Sequence, residues 1–313
     1  MSSIINRLFH KKVGPTTAQG HAETAAARLK TKQDISLEHI GTDVPGGAFQ
    51  TRPHLAVPQL SVGVAQSIGV QRDNNEDSLF TLTTNLLVDE KTIDFGLYII
   101  ADGMGGHDNG ELASRMAVDI LTSHIINTLY LQLISTNDSN NEFSLHEVMQ
   151  EGALQAHQAI KKATEGGGTT LTAAMILGEQ MTITHVGDSR AYYIDPMGNM
   201  KQLTRDHSLV KRLEEIGQIT AEQALSHPQK NVLYRAVGQG EPFEPDIASM
   251  QVCPGCQLLI CSDGLWGVIN EDDLAAIVTM AAEPQLICQS LVDAANHAGG
   301  PDNISVILVR LSG

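Results

Sequence analysis

The sequence is poor in aromatic residues and in cysteine, and both shortages exclude classes of protein. Aromatic residues make up 4% of the 313 residues, and the four cysteines are Cys253, Cys256, Cys261 and Cys288. Four cysteines confined to one late segment are typical of reduced thiols rather than of a disulfide framework. The C-x-x-C pair at Cys253 and Cys256 has no second pair beside it, which argues against a zinc site.

Long apolar runs are also missing. No run approaches the roughly 18 residues that a membrane-crossing helix needs. The first residues, MSSIINRLFHKK, lack the apolar stretch and the cleavage site of a signal peptide. We therefore expect a cytoplasmic protein with no membrane span. With 42% hydrophobic residues, the chain is long enough to bury one large core.

Basic residues are outnumbered, and the imbalance is uneven along the chain. Lys and Arg total 20 against 36 Asp and Glu, which gives a net charge of −16. Residues 1–60 nevertheless carry seven basic and four acidic residues, so the acidic excess lies in the remainder. An acidic body argues against nucleic acid as a ligand, because surfaces that bind nucleic acid are basic.

The chain divides into two regions of different pattern. Residues 1–58 are rich in Ala, Thr, Gln, Gly and Pro without sustained periodicity, which predicts a flexible or disordered N-terminal extension. Residues 59–313 combine short apolar strand patterns with amphipathic helix patterns and predict one folded domain. Because the strands come mostly in hairpins and the helices in pairs, the expected fold class is α+β.

The periodicity also gives approximate bounds for each element. We predict strands at residues 61–68, 78–84, 95–101, 170–177, 181–186, 190–194, 257–261 and 304–311. We predict helices at residues 110–131, 146–163, 208–217, 271–281 and 284–298.

The segment GDSRA, residues 187–191, allows two interpretations. It differs by one residue from the nucleophile elbow G-x-S-x-G, which would make Ser189 the nucleophile of a serine esterase. That elbow requires a helix after the serine, whereas AYYID is typical of a strand. We therefore interpret MTITHVGDSRAYYI as a hairpin that turns at Gly187 and Asp188, and we keep the esterase as an alternative.

Acidic residues recur where apolar strands begin or end: Glu76, Asp77, Asp102, Asp188, Asp263 and Asp302. Converging carboxylates repel each other by roughly 4 kcal/mol per pair at 4 Å in an effective dielectric near 20, so such a cluster requires cations. Ligands that offer only oxygen select hard ions such as Mg²⁺ or Mn²⁺. We expect Asp102 to bridge a pair of ions. Because Gly103 has no side chain, its carbonyl can closely approach one of them.

Eight motifs follow one another between about residues 61 and 311: VQRDNNEDS, ADGMGGH, GGTTLTAAMI, HVGDSRAYYI, LTRDHSLV, HPQKNVLYRAVG, LLICSDGLW and GGPDNISVILV. Their order and spacing resemble the metal-dependent Ser/Thr protein phosphatase family, type 2C (PPM), in its bacterial form. The resemblance implies a central antiparallel β-sandwich flanked by helix pairs, in four αββα layers. It also implies hydrolysis of phosphoserine and phosphothreonine by a water that bridges two Mg²⁺ or Mn²⁺ ions.

The resemblance assigns the ion ligands to Glu76, Asp102, the Gly103 carbonyl, Asp188, Asp263 and Asp302. Asp102 would bridge the two ions. Glu76 and Gly103 would complete the shell of one ion, and Asp263 and Asp302 would complete the shell of the other. Asp188 matches a third, weaker ion position that Asp263 shares.

Four further residues receive roles from the resemblance. Arg72 matches the residue that binds the substrate phosphate, Asp77 would orient waters, and Asn303 would brace the loop of Asp302. Animal members carry a histidine directly after the first Asp-Gly, where this chain has Met104. His107 is therefore our candidate for the general acid, with a structural loop histidine or a metal-bound water as the acid left as alternatives.

The resemblance also implies partners. We expect phosphorylated protein substrates, a cognate bacterial Ser/Thr kinase that the enzyme opposes, and a monomer. A catalytically silent relative that only binds phosphoproteins is an alternative, which the intact ion positions and Arg72 argue against. His207 is expected to cap or pack the helix at 208–217 rather than to catalyse. That helix and the segment that follows it resemble the family's mobile flap.

Overall fold

The computed structural model describes residues 60–88, 91–105, 107–135 and 144–311. The predicted N-terminal extension, residues 1–58, lies outside these ranges. The described strands are β1 Leu60–Ser67, β2 Asp77–Val88, β3 Lys91–Met104, β4 Gly168–Thr169, β5 Leu171–Leu177, β6 Gln180–Val186, β7 Arg190–Ile194, β8 Met200–Gln202, β9 Asp246–Gln251, β10 Gln257–Cys261 and β11 Ile304–Leu311. The described helices are α1 His107–Ile125, α2 Leu145–Ala163, α3 Leu209–Glu215, α4 Ala221–Leu225, α5 Asp263–Trp266, α6 Glu271–Val278 and α7 Pro284–His297.

The strands form two antiparallel sheets. Sheet I has the order β1-β11-β10-β7-β8, and sheet II has the order β2-β3-β5-β6-β9, with β4 paired to β3. Side chains of the central strands alternate between two cores. Leu97 and Ile99 of β3 pack with α1 and α2, whereas Tyr98 and Ile100 pack between the sheets with residues of β10 and β11.

Helices cover the outer faces of both sheets. The outer face of sheet I, including Val306 and Leu308 of β11, packs against α6 and α7 in a third core. The layers are therefore helix, sheet, sheet, helix, which confirms the predicted α+β sandwich. Each fully buried Leu or Ile side chain in such a core contributes roughly 1.5–3 kcal/mol to folding.

Helix α1 continues beyond Ile125 through a π-helical stretch, Ile126–Tyr130, and a last α-helical turn, Leu131–Ile134. By length and mean hydropathy, 1.2, the segment Asp108–Ile134 has the properties of a membrane-crossing helix. Its Ala117 and Leu121 side chains are, however, fully buried against sheet II. A core helix meets the same criterion, so the segment is weak evidence for a span.

The predicted hairpin at Gly187 and Asp188 is wrong. Strand β6 pairs within sheet II and β7 pairs within sheet I, so residues 187–189 cross from one sheet to the other. Gly187 adopts a φ of +106°, and a Cβ there would lie 2.6 Å from Cγ2 of Thr170. The crossing therefore depends on glycine, and it places Asp188 at the edge between the two sheets.

The expectation of reduced thiols is wrong for two of the four cysteines. Cys253 and Cys256 form a disulfide, whereas Cys261 and Cys288 are free and buried. The turn that precedes β10 brings the Cα atoms of the bonded pair to 5.7 Å, which is within the usual range for a disulfide. The pair closes a local turn and does not join distant parts of the chain.

Candidate active site

One edge of the sandwich gathers the acidic residues that the sequence singles out. Asp102 at the end of β3 pairs in register with Asp77 at the start of β2. In sheet I, Cys261 at the end of β10 pairs with Val306 near the start of β11. Asp263, which follows β10, and Asp302, which precedes β11, therefore lie at the same end of two neighbouring strands. A cavity of about 350 Å³ opens at this edge, lined among others by Arg72, Glu76, Asp102, Gly103, Asp188, Asp263, Asp302 and Asn303.

The backbone of Asp102 is fixed by the two threonines of the GGTTLT motif. Its amide N–H donates to Thr170 Oγ1 at 2.9 Å, and its carbonyl accepts from Thr170 N at 2.8 Å and Thr169 Oγ1 at 2.9 Å. Three hydrogen bonds at a strand end leave the Cα position of Asp102 little freedom. The carboxylate is therefore presented to the cavity from a rigid base.

Gly103 is required by close packing. A Cβ at this position would lie 2.2 Å from the carbonyl oxygen of Gly110 and 2.7 Å from that of Glu76. The Gly103 N–H also donates to the Glu76 carbonyl at 3.2 Å. Only glycine lets the end of β3, the start of α1 and the Glu76 loop meet this closely.

Asp77 and Asn303 hold the loops that carry the other acids. Asp77 Oδ2 accepts hydrogen bonds from Ser262 Oγ at 2.9 Å and Ser305 Oγ at 2.7 Å. Asn303 Oδ1 accepts from the Glu76 N–H, and its Nδ2 donates to the carbonyls of Ile68 and Asn74, each at 2.8 Å. Asn303 thus ties the loop before β2 to the loop before β11.

Burial and mutual repulsion raise the pKa values of the clustered carboxyl groups. Burial, followed by the charges of Asp77 and Asp263, raises the pKa of Asp102 well above its ordinary value. Burial, then Asp302 and Asp77, raises the pKa of Asp263 to about 7. Burial, followed by the charge of Asp263, also raises the pKa of Asp188 well above its ordinary value. Carboxyl groups this close favour the charged form only beside cations.

The donor set fits divalent ions. Asp77 Oδ1 and Asp263 Oδ1 are buried and have no hydrogen-bond partner among the described residues. Such a group costs about 1–3 kcal/mol for each acceptor, and a cation would relieve this cost. All the candidate donors are oxygens, which suits Mg²⁺ or Mn²⁺. As they are placed in the described ranges, no three Asp, Glu, His or Cys side chains are grouped closely enough to hold an ion between them.

Arg72 lies at the mouth of the cavity. Its Nη2 donates to Asp302 Oδ2 at 2.8 Å, and about half of its side chain is exposed. This contact and the charges of Asp302, Glu76 and Asp263 raise the pKa of Arg72 against the opposing effect of burial, so the guanidinium stays charged. The sequence predicts Asp302 as an ion ligand and Arg72 as a phosphate ligand, and the structure pairs them with each other.

Two candidates for catalysis differ in what the structure shows. His107 is the first residue of α1, but its side chain lies outside what the structure describes, so its assignment as the general acid stays a prediction. Ser189 is fully buried, its Oγ is 2.7 Å from Thr170 Oγ1, and strand β7 follows it. This is not the strand-to-helix elbow of an esterase.

His207 is buried two residues before α3, but it does not cap that helix. Ser208 is the N-cap of α3 and accepts from Lys211 N. His207 is buried, with Nδ1 accepting from the Gly187 N–H at 3.1 Å and Nε2 located 3.1 Å from Asp246 Oδ2. Its backbone N–H also donates to the Gly187 carbonyl at 2.7 Å. His207 therefore supports the crossing beside Asp188.

Several supporting residues were missed by sequence reasoning. Thr169 and Thr170 lie in the motif GGTTLTAAMI, and Ser262 directly precedes Asp263. No pattern in the sequence indicates that their hydroxyl groups make hydrogen bonds in the site. Trp266 and Arg190 line a second cavity of about 680 Å³ that also contacts Asp188 and Asp263. Their contacts with the site are tertiary, so no spacing in the sequence indicates them.

The fold and the acidic cavity together define a class of protein. The sequence model of the protein phosphatase 2C family matches residues 62–304, and the chain belongs to this family. It is a protein serine/threonine phosphatase, and its substrates are phosphoproteins.

Named relatives support this assignment. The chain is 35% identical over 254 residues to the protein phosphatase PhpP of Streptococcus pneumoniae, covering 81% of this chain and 98% of that protein. It is 38% identical over 214 residues to the serine/threonine phosphatase Stp of Listeria innocua, covering 68% of this chain and 84% of that protein.

Solved structures resemble the chain to a similar extent. The Mycobacterium tuberculosis serine/threonine phosphatase PstP/Ppp superposes with a TM-score of 0.67 at 29% identity, covering 81% of this chain and 99% of that chain. The catalytic domain of PstP in complex with two manganese ions gives a TM-score of 0.66 at 28% identity, with the same coverage.

Proposed function

We propose that this phosphatase depends on two divalent ions, Mg²⁺ or Mn²⁺, and has a position for a third. The observation that carries the proposal is the convergence of acids from distant parts of the chain on one cavity, with buried carboxylate oxygens that have no partner in the part of the chain that the structure describes. The proposed ligands are Glu76, Asp102, the Gly103 carbonyl, Asp188, Asp263 and Asp302. The two manganese ions in the related PstP domain support the proposed dependence on divalent ions.

When bound, the ions supply the Lewis acidity that activates a water for attack on phosphorus. Arg72 is proposed to bind the phosphate oxygens at the cavity mouth, where its guanidinium offers two parallel N–H groups. Binding of an ion by Asp302 would release Arg72 from the contact between them and make it available to the phosphate. His107 is proposed to donate the proton that the departing serine or threonine oxygen needs.

The wider setting is also a proposal. We infer that the enzyme works in the cytoplasm as a monomer and opposes a bacterial Ser/Thr kinase, with residues 59–313 as the catalytic domain. The names of the bacterial relatives support the substrate class, since Stp and PstP are called serine/threonine phosphatases. Deleting the gene is expected to increase phosphothreonine and phosphoserine on the proteins that the kinase modifies.

The test of metal dependence uses the purified full chain and a phosphothreonine peptide. We expect release of inorganic phosphate with Mn²⁺ or Mg²⁺ and none after treatment with EDTA, with recovery when the ion is restored. Ions at 100 times their Kd should also stabilise the fold by about 2.7 kcal/mol. Undiminished turnover in EDTA would contradict the proposal. Peptide binding without turnover in metal would instead favour a catalytically silent relative.

Ser189→Ala separates the phosphatase from the serine esterase. Because Ser189 is buried and bonded to Thr170, we expect the variant to retain metal-dependent phosphatase turnover within about threefold. Removing one hydroxyl of a buried pair lowers the stability of the fold by about 1–3 kcal/mol but removes no group from the reaction. Turnover of p-nitrophenyl phosphate and the thermal midpoint are measured together. Complete loss of activity in a folded variant would favour the esterase.

A further inference from the structure

The only tryptophan in the chain, Trp266, connects two of the proposed ion ligands. It is the last residue of α5, the short helix that begins with Asp263. Its indole Nε1–H donates to the backbone carbonyl of Asp188 at 3.0 Å. One side chain thus joins the helix that carries Asp263 to the crossing that carries Asp188.

Asp188 needs such an anchor because it does not lie on a strand. Residues 187–189 cross between the two sheets, so no ladder of hydrogen bonds holds Asp188 on either side. Thr170 and Thr172 bond Ser189 at the end of the crossing, and two further side chains bond the backbone of Gly187 and Asp188. His207 bonds both backbone groups of Gly187, and Trp266 bonds the carbonyl of Asp188. The position of the Asp188 carboxylate therefore depends on side chains outside its own segment.

The indole is itself held in place. The guanidinium carbon of Arg190 lies 3.6 Å from the centroid of the Trp266 ring. Asp206 accepts from Arg190 Nε at 3.1 and 3.2 Å and from Nη2 at 2.7 Å, and Gln202 donates to Asp206 at 3.0 Å. Because Asp206 is buried, the guanidinium cannot turn away without leaving a buried charge unpaired. The stacked pair therefore fixes the plane of the indole.

We propose that Trp266 is a positioning residue for the reaction: it holds Asp188 against Asp263 so that the two carboxylates can share an ion. The inference rests on the proposed metal dependence. Asp188 and Asp263 line both the acidic cavity and the neighbouring one, and Trp266 lies in the wall of the second. Trp266 does not touch the substrate phosphate and acts through the Asp188 backbone.

The test compares Trp266→Phe, Asp188→Asn and the double variant in the full chain. Phenylalanine keeps an aromatic ring but lacks the N–H, and Asp188→Asn keeps the carbonyl that Trp266 contacts. We expect Trp266→Phe to raise the half-activating Mg²⁺ concentration for p-nitrophenyl phosphate turnover about tenfold, with a smaller loss of kcat. A tenfold change is the low end of the range, about 10–100-fold, seen when a residue that hydrogen-bonds an ion ligand is replaced.

The double variant distinguishes positioning from general damage. If Trp266 acts through Asp188, adding Trp266→Phe to Asp188→Asn should change the activation curve little, because the two effects are coupled. If the penalties multiply, or if Trp266→Phe alone activates like the wild type, the inference is overturned. Absence of metal-dependent turnover in the wild type would instead overturn the proposed function.

Fluorescence gives a readout that does not depend on turnover. All tryptophan emission comes from position 266, so Mn²⁺, a paramagnetic quencher, should reduce it as the ion fills a site beside Asp188. Asp188→Asn should shift this quenching to at least about tenfold higher Mn²⁺. Emission that stays constant through full activation, or quenching unchanged in Asp188→Asn, would contradict the placement of Trp266 beside the ion.

Discussion

Asp102→Asn is expected to lower metal-dependent turnover by about 10⁴-fold, because losing the carboxylate that bridges two ions removes several kcal/mol of transition-state stabilisation. The variant should fold, because the Thr169 and Thr170 contacts to residue 102 involve its backbone and survive the substitution. Turnover of a phosphothreonine peptide is measured over a range of Mn²⁺ concentrations. Ion stoichiometry is measured by calorimetry and should fall below two.

The same variant should be no less stable than the wild type without metal. In the metal-free protein, desolvation and then the charges of Asp77, Asp263 and Asp188 raise the pKa of the half-buried Asp102, so an uncharged amide there relieves both penalties. A relief of about 1 kcal/mol would raise the thermal midpoint by about 2–4 °C in a domain of this size. Asp293→Asn, on the exposed side of α7, is the matched control and should change neither property. Full turnover by Asp102→Asn would show that Asp102 is not an ion ligand.

Arg72→Ala is expected to lower kcat/KM for a phosphopeptide by about 10²–10³-fold, the usual effect of removing one strong donor to the transition state. Arg72→Lys keeps the charge but not the paired N–H groups, so it should recover only part of this loss. The measurement is steady-state kinetics at saturating Mn²⁺. Metal stoichiometry should stay at the wild-type value, since Arg72 binds no ion.

Arg115→Ala is the matched control for Arg72. Arg115 is exposed on α1, where it pairs with Glu111 one turn away, and it does not line the acidic cavity. Exposed pairs of this kind contribute about 0.3–0.5 kcal/mol, so its removal should leave kinetics unchanged. Equal losses in the two variants would mean that overall surface charge, and not Arg72 itself, binds the phosphate.

Much of the sandwich could be predicted because buried strands carry strong patterns. The bounds of β7, β10 and β11 match the prediction, since their apolar runs have Gly, Pro or Asp within two residues of each end. The placement of β6 and β7 in different sheets could not be predicted from the sequence. Almost every residue of both strands is buried or half-buried, so neither has an exposed face that would assign it to a sheet.

Short and exposed elements were missed for a different reason. Strand β9 lies at the edge of sheet II and is mostly exposed, so its sequence DIASMQ lacks an apolar face. Strands β4 and β8 and helices α4 and α5 have two to five residues each, too few to show a period. Their positions are set by tertiary contacts that local pattern does not contain.

The acids of the site could be predicted because they follow or precede strong strands, and strand ends recur at one edge of the sandwich. The contacts that orient them could not. Trp266 bonds a backbone carbonyl, and Arg190 stacks on Trp266, so neither interaction requires a particular residue type at Asp188. The pairing of Arg72 with Asp302 was also unforeseen, because the sequence assigns them to separate partners.

The most direct test is a crystal of the full chain grown with MnCl₂, with anomalous diffraction measured at the manganese edge. The account predicts two strong peaks within the cavity lined by Glu76, Asp102 and Asp263, both within bonding distance of Asp102, and a weaker peak beside Asp188. Manganese peaks only elsewhere on the protein, with this cavity free of anomalous signal in crystals of an active enzyme, would contradict it.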